Sequence, residues 1–136
     1  MNADTNEIIV KYLNAQAALT DIVGARIYCP RMPENAALPA VGLFTRGGTT
    51  NPHIPGLVGP SVQFDCWGAD QIAAREVYRA LYDVLQGIQR QVVSISGTDY
   101  IIWSAIEEVT GQDLQDPDIP GYFRVLAFFS MQIKAI

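Results

Sequence analysis

His53, Cys29 and Cys66 supply all of the imidazole and thiol chemistry in this chain. A Cys–His nucleophile pair needs thiol and imidazole within hydrogen-bond reach of each other. His53 lies in a stretch dominated by proline and glycine, where a solvated imidazole is expected. Cys66 shares an alternating pattern with Val62 and Phe64 and reads as a small buried hydrophobe. Cys29 stands beside Pro30 with only Arg26 and Arg31 as basic neighbours, and no role is assigned to it. Glu107, Glu108, Asp113, Asp116 and Asp118 place five acids within twelve residues without a compensating base. Hard cations prefer oxygen ligands, but the EF-hand spacing is missing and Pro117 interrupts the run. A solvated acidic loop, or an electrostatic docking patch for a basic partner, is expected there in preference to a metal site. Gly47-Gly48 lacks the spacing and the lysine of a phosphate-binding loop. Trp67 and Trp103 have no basic surroundings with which to hold nucleic-acid bases, so packing is their expected use. No catalytic residue, metal site or cofactor site emerges, and the chain is expected not to be an enzyme.

Composition points the same way. The chain has 136 residues, 49% hydrophobic and 17% charged, against roughly 25% charged in an average soluble domain. Its mean hydropathy is +0.14. One domain over 1–136 is expected, with apolar surface left over for a protein partner. A formal charge of −5 has the wrong sign for neutralising phosphates. No apolar stretch approaches the roughly 20 residues that span a bilayer. The opening MNADTNE carries two acids and no base, unlike a targeting peptide. Two cysteines exclude a disulfide framework and make a reducing compartment the default.

The elements that must position these side chains follow from pattern. Asp4 and Glu7 look like a helix N-cap and its partner. Ile8, Ile9, Tyr12, Leu13 and Leu19 then share one face, predicting an amphipathic helix over 5–19; Thr20-Asp21 restart a short turn ending at Gly24. Residues 26–28 form a short extended piece stopped by Pro30 and Pro33. Residues 40–46 and 61–67 alternate as strands. Between them, four glycines and three prolines in the fourteen residues from Gly47 to Pro60 predict a long loop. Residues 35–64 carry one formally charged side chain, Arg46. That makes the 47–60 loop, with Gly48, Asn51, His53, Ile54, Leu57 and Val58, a candidate contact with a neighbouring subunit. Asp70 caps a second helix that runs to Gln86 and stops at Gly87. Tyr78 and Tyr82 stand one turn apart on the shoulder of its apolar stripe, as core-edge caps or as a subunit contact. Residues 91–96 and 99–109 form a hairpin, and a second loop runs from Gln112 to Gly121. The chain ends in a strand of about thirteen residues, with Phe123, Val125, Ala127, Phe129, Met131 and Ile133 on one face. Leu126 and Phe128 make the middle of the opposite face apolar too. The architecture expected is α+β: a mainly antiparallel sheet of four to five strands with two amphipathic helices packed on one face.

The segment Val62-Gln63-Phe64-Asp65-Cys66-Trp67-Gly68, followed by the helix from Ala74 to Leu85, resembles the tail-completion, or tail-terminator, family of long-tailed bacteriophages. So do the opening helix with Ala18-Leu19-Thr20-Asp21-Ile22-Val23-Gly24-Ala25-Arg26-Ile27-Tyr28, the proline-rich turn leading to Leu38-Pro39-Ala40-Val41, and Tyr122-Phe123-Arg124-Val125 opening a long final strand. The resemblance covers nearly the whole chain in order; the Gly/Pro-rich stretch from Gly47 to Pro60 departs from it. It implies a small α+β structural virion protein that assembles with itself as a ring, commonly a hexamer. The ring sits on the head-proximal end of the tail tube, stops tube polymerisation and meets the head-completion complex, so its place is the head–tail junction of a virion assembled in the host cytoplasm. Gene-transfer particles carry similar proteins. The family has no catalytic residues to carry over.

Self, tail tube and head-completion protein are thus the expected partners. DNA would pass through the lumen without specific binding, as a negative or neutral surface allows; no membrane is involved. Arg46, the 47–60 residues, Tyr78, Tyr82, the acidic 107–118 residues, Leu126 and Phe128 are the candidate interface. The alternatives are a head–tail connector (neck) subunit of similar fold and a ligand-binding or enzymatic α+β domain.

Overall fold

A computed structural model describes residues 4–33, 36–50, 52–54, 56–115 and 122–135. Asp4 caps α1 (Thr5–Asn14), its carboxylate accepting the amide of Asn6 at 3.1 Å. The helix expected over 5–19 is divided. Gln16 is extended (φ −96°, ψ 104°) and starts α2 (Ala17–Val23). The amides of Ala15 and Gln16 turn back to the carbonyls of Tyr12 and Leu13, and Gln16 Nε2 donates to the Tyr12 carbonyl. Hydrophobic spacing cannot reveal this break, because Tyr12, Leu19 and Val23 keep helical phase through it. The bend lets α2 pack on α3 (Gln71–Leu85) while α1 packs on the sheet. The molecule is therefore α+β with three helices, one more than expected.

The sheet has six strands: β1 (Ile27–Tyr28), β2 (Ala40–Thr50), β3 (Val58–Gly68), β4 (Gln89–Ile95), β5 (Thr98–Gln115) and β6 (Phe123–Ala135). They run in the order β1-β2-β3-β6-β5-β4. The pairing is antiparallel except for the two-residue parallel ladder of β1 on β2. The sheet curls until α1 touches β1 and β2 at one side and β4 at the other. Four bulges feed that curl, one in β2 and three in β5, since each extra residue sharpens local twist.

Two loops expected from composition are largely strand. β2 continues to Thr50 and β3 begins at Val58, leaving only 51–57 as the connection. Glycine makes this possible: Arg46 and Gly47 bulge against Ser61, and Gly48 then pairs with Pro60. At Gly48 (φ +136°) a Cβ would lie 2.1 Å from the Gly59 carbonyl oxygen, so no other residue fits. Likewise β5 runs on through 112–115, where a loop was expected, paired with the start of β6. The hairpin between β4 and β5 forms as expected, turning on Ser96 and Gly97, both at positive φ.

Helices and one face of the sheet enclose the core. Ile8, Ile9 and Leu13 of α1, Leu19 of α2 and Val77, Leu81 and Leu85 of α3 meet Leu43, Phe64, Phe129, Met131 and Ile133. Each such side chain contributes roughly 1.5–3 kcal/mol of burial. Phe64 and Phe129 meet edge to face at 5.6 Å. α3 starts as expected, Asp70 accepting the Ala73 amide at 2.7 Å, and Gly87 (φ +76°) follows its end.

Candidate assembly surface

The helix-free face of the sheet gathers several of the sequence-predicted residues. Arg46 on β2 reaches across Ser61 of β3 to Glu108 of β5. Its Nε donates to Ser61 Oγ at 2.9 Å, the Ser61 hydroxyl donates to Glu108 Oε1 at 2.7 Å, and Arg46 Nη2 lies 3.3 Å from Glu108 Oε2. The Arg46 guanidinium also sits 3.9 Å from the centre of the Phe128 ring. Phe128 and Leu126 are thus half-buried by their own chain.

The acids do not form one patch. Glu107 and Asp113 face α3. Tyr78 donates its hydroxyl to Glu107 Oε2 at 2.5 Å and accepts the Gly111 amide at 3.2 Å. Asp113 Oδ1 pairs with Arg75 Nε at 2.7 Å and accepts from Gln71. Of the three acids among the described residues of this run, Glu108 turns to the opposite face. Alternation along the strand separates it from its neighbour Glu107, and the β5 bulge between Glu107 and Val109 leaves Glu108 on the same face as Val109. The missing bases come from α3 and β2, far away in sequence. Among the described residues no group of acids, histidines or cysteines could hold a metal ion. Asp116, Asp118 and Asn51 lie outside the described residues.

Tyr78 is buried, and burial together with the Glu107 hydrogen bond pushes its phenol up to about 12. Tyr78 is thus held at the core edge by its hydroxyl, while Tyr82 is exposed one turn on, its ring 6.3 Å from that of Tyr78. A shallow hollow of about 220 Å³ lies between Tyr78, Arg79, Tyr82 and Asp83.

The exposed apolar side chains of the helix-free face are residues that sequence reading did not place in an interface, although Glu107, Glu108 and Asp113 of the same β5 were named. Val92 on β4 and Trp103, Ile106 and Val109 on β5 are all exposed. Strict alternation from Tyr100 and Ile102 would send Ser104 and Ile106 into the core. The bulge between Ile102 and Ser104 instead places Ala105 across from Met131 inside and Ile106 across from Ser130 outside. No local signal in the sequence marks the extra residue, because the phase change is visible only in the pairing of β5 with β6.

Towards the end of the sheet where Gly68 pairs with Phe123, the same face is covered by the chain. The backbone of Arg31 and Met32 crosses Gly42 so closely that a Cβ there would lie 3.1 Å from the Met32 nitrogen. Tyr122 donates to the Ala36 carbonyl at 3.0 Å. Buried Asp65 lies 3.6 Å from half-buried Arg124, and burial pushes the Asp65 carboxyl up against the opposing pull of Arg124. Asp65 Oδ1, Trp67 Nε1 and Arg124 Nε are buried, with no hydrogen-bond partner seen among the described residues.

At the β2–β3 tip, His53 lines a hollow of about 410 Å³ with Thr49, Thr50, Pro52 and Gln132. Ile54 is exposed, Leu57 belongs to the connection, and Val58 pairs with Thr50 and Ile133 inside the sheet. Cys66 is fully buried among core residues and its thiol is pushed well up by burial. Cys29 is exposed beside Asn6, Glu7, Val10, Lys11 and Asn14, its thiol pushed up by desolvation and by Asp4. Neither is held as a thiolate, the form a nucleophile needs.

No protein-family model matches the sequence, and no curated protein matches it. The fold is similar to that of a chain in a solved structure described as the virion of a native gene transfer agent (GTA) particle, with a TM-score of 0.68 and 15% sequence identity. The superposition spans 96% of this chain and 94% of that one, so the two share their architecture from end to end.

Proposed function

We propose that the chain is a structural virion protein of a tailed phage or gene-transfer particle and acts as its tail terminator. Copies assemble as a ring on the head-proximal end of the tail tube, end tube polymerisation and present a surface to the head-completion protein. The likeness of fold to a chain of a gene transfer agent particle, end to end on both sides, carries this reading. The order of motifs described above narrows it to the terminator. An exposed apolar strip on the helix-free face supports a role that works by contact. The reading needs no catalytic group. A charge of −5 per copy suits a passage that DNA slides through without sticking.

Removing the gene from a producing strain and imaging the particles tests this. A terminator's loss gives tubes of uncontrolled length and heads without tails. A connector's loss instead leaves tails of normal length that fail to join heads. Normal particles with full transfer of DNA refute both.

A further inference from the structure

Seven large apolar side chains are exposed among the described residues, and six of them fall on two opposed surfaces. Val92 (56%), Trp103 (41%), Ile106 (56%) and Val109 (36%) lie on the helix-free face of β4 and β5. Ile72 (75%) and Tyr82 (38%) lie on the outer side of α3, which packs its other side on the sheet. A two-fold contact between copies needs one self-complementary patch. Two unlike patches on opposite sides are what a head-to-tail contact needs, and such contacts build rings when the rotation closes.

The charges around the two patches are complementary. Beside the sheet patch stand Arg90, 5.9 Å from the Trp103 ring, and Lys134, paired across the ladder with Ile101. The acids there are engaged within the chain: Asp99 is hydrogen-bonded by Ser94, and Glu108 is paired with Arg46 and hydrogen-bonded by Ser61. The outer side of α3 carries Glu76 and Asp83 around Arg79, while its other base, Arg75, is held by Asp113. Ile72 and Tyr82 are ten residues apart, about 15 Å along the helix, with the hollow between Tyr78, Arg79, Tyr82 and Asp83 at one end.

We infer that the β4–β5 face of one copy seats on the outer side of α3 of the next, Trp103 entering the hollow beside Tyr82, with Arg90 and Lys134 facing Glu76 and Asp83. This contact deepens the ring reading and rests on it for the identity of the occupant, a second copy of this chain.

Complementation between two exposed-residue variants tests it. Ile72→Glu spoils only the helix patch and Trp103→Glu only the sheet patch. Both should keep the wild-type thermal transition, since neither side chain is buried. Each alone should weaken self-association about a hundredfold or more, because a carboxylate is forced into an apolar contact. Mixed one to one, they should form dimers that stop at two, Trp103 of the Ile72→Glu copy seating on α3 of the Trp103→Glu copy. Analytical ultracentrifugation reads all three samples. Wild-type assembly by Ile72→Glu would indicate a two-fold sheet contact and overturn the inference. So would assembly unchanged in both variants, failure of the mixture to dimerise, or a wild-type chain that stays monomeric at its highest soluble concentration. Halted dimers together with normal tails in gene-deleted particles would leave this contact standing and remove the terminator role.

Discussion

Tyr78→Phe is the most informative single change in this fold, because one hydroxyl ties α3 to the bulged part of β5. Its loss removes the donor to the Glu107 carboxylate and the acceptor for the Gly111 amide. A hydrogen bond to a charged group is worth about 1.5–3 kcal/mol, and a buried amide left unpaired costs about 1–3 kcal/mol. Glu107 is only half-buried, so water recovers part of the first term. Gly111 is buried, and the Tyr78 ring fills the place of its missing side chain, 2.8 Å from where a Cβ would stand. The net loss expected is about 2–3 kcal/mol. For 136 residues, an unfolding entropy near 2.1 cal/mol/K per residue converts this to a fall of about 7–10 °C in Tm. Differential scanning calorimetry at neutral pH measures it. Tyr82→Phe is the control, expected to move Tm by less than about 1 °C, since no hydrogen bond of the Tyr82 hydroxyl is seen among the described residues. A fall below about 2 °C for Tyr78→Phe, or equal falls in the two variants, would refute the view that this hydroxyl fastens β5 to α3.

Other expectations follow from the same contacts. The Tyr78 phenol is raised from about 10 to about 12, so its neutral form is favoured by folding. Stability from this group is complete below pH 10 and is lost as pH climbs towards 12; a denaturation series over that range should show a drop that Tyr78→Phe lacks. Gly48→Ala should cost more than about 3 kcal/mol in urea unfolding, combining positive φ with a backbone clash, whereas Gly47→Ala meets nothing within 4 Å and should show only the conformational cost of about 1–3 kcal/mol. A double-mutant cycle on Arg46 and Glu108, whose side chains are 39% and 32% exposed, should give a coupling below about 1 kcal/mol. A larger value would mark the network as a stabilising core of the sheet.

Much of this architecture was legible in pattern. The alternation along β6 separates buried from half-buried residues as Val125, Ala127 and Phe129 against Arg124, Leu126 and Phe128 predict, with Phe123 at the strand's start half-buried. The caps Asp4 and Asp70 stand where helices begin, and Ser96-Gly97 makes its hairpin. The failures have physical causes. Glycine and proline from 47 to 60 were read as breakers, but Gly47 and Gly48 build a bulge that lets the ladder resume at Pro60. The six-stranded count needed β1, two residues long and recognisable only by its parallel partner. The acidic run looked unpaired because its bases, Arg46 and Arg75, arrive from 62 and 38 residues away in sequence. The apolar strip on β4 and β5 was hidden because bulges change the phase of alternation, and no local composition announces a bulge.

The central claim is that this chain is a building block of a particle, placed where the tail tube meets the head. A density map of intact particles from a strain carrying the gene tests it most directly. The account predicts a closed ring of this fold at the head-proximal end of the tube, one layer thick, with the tube ending beneath it. Particles complete at that junction without this chain, or with its density elsewhere in the virion, would contradict it.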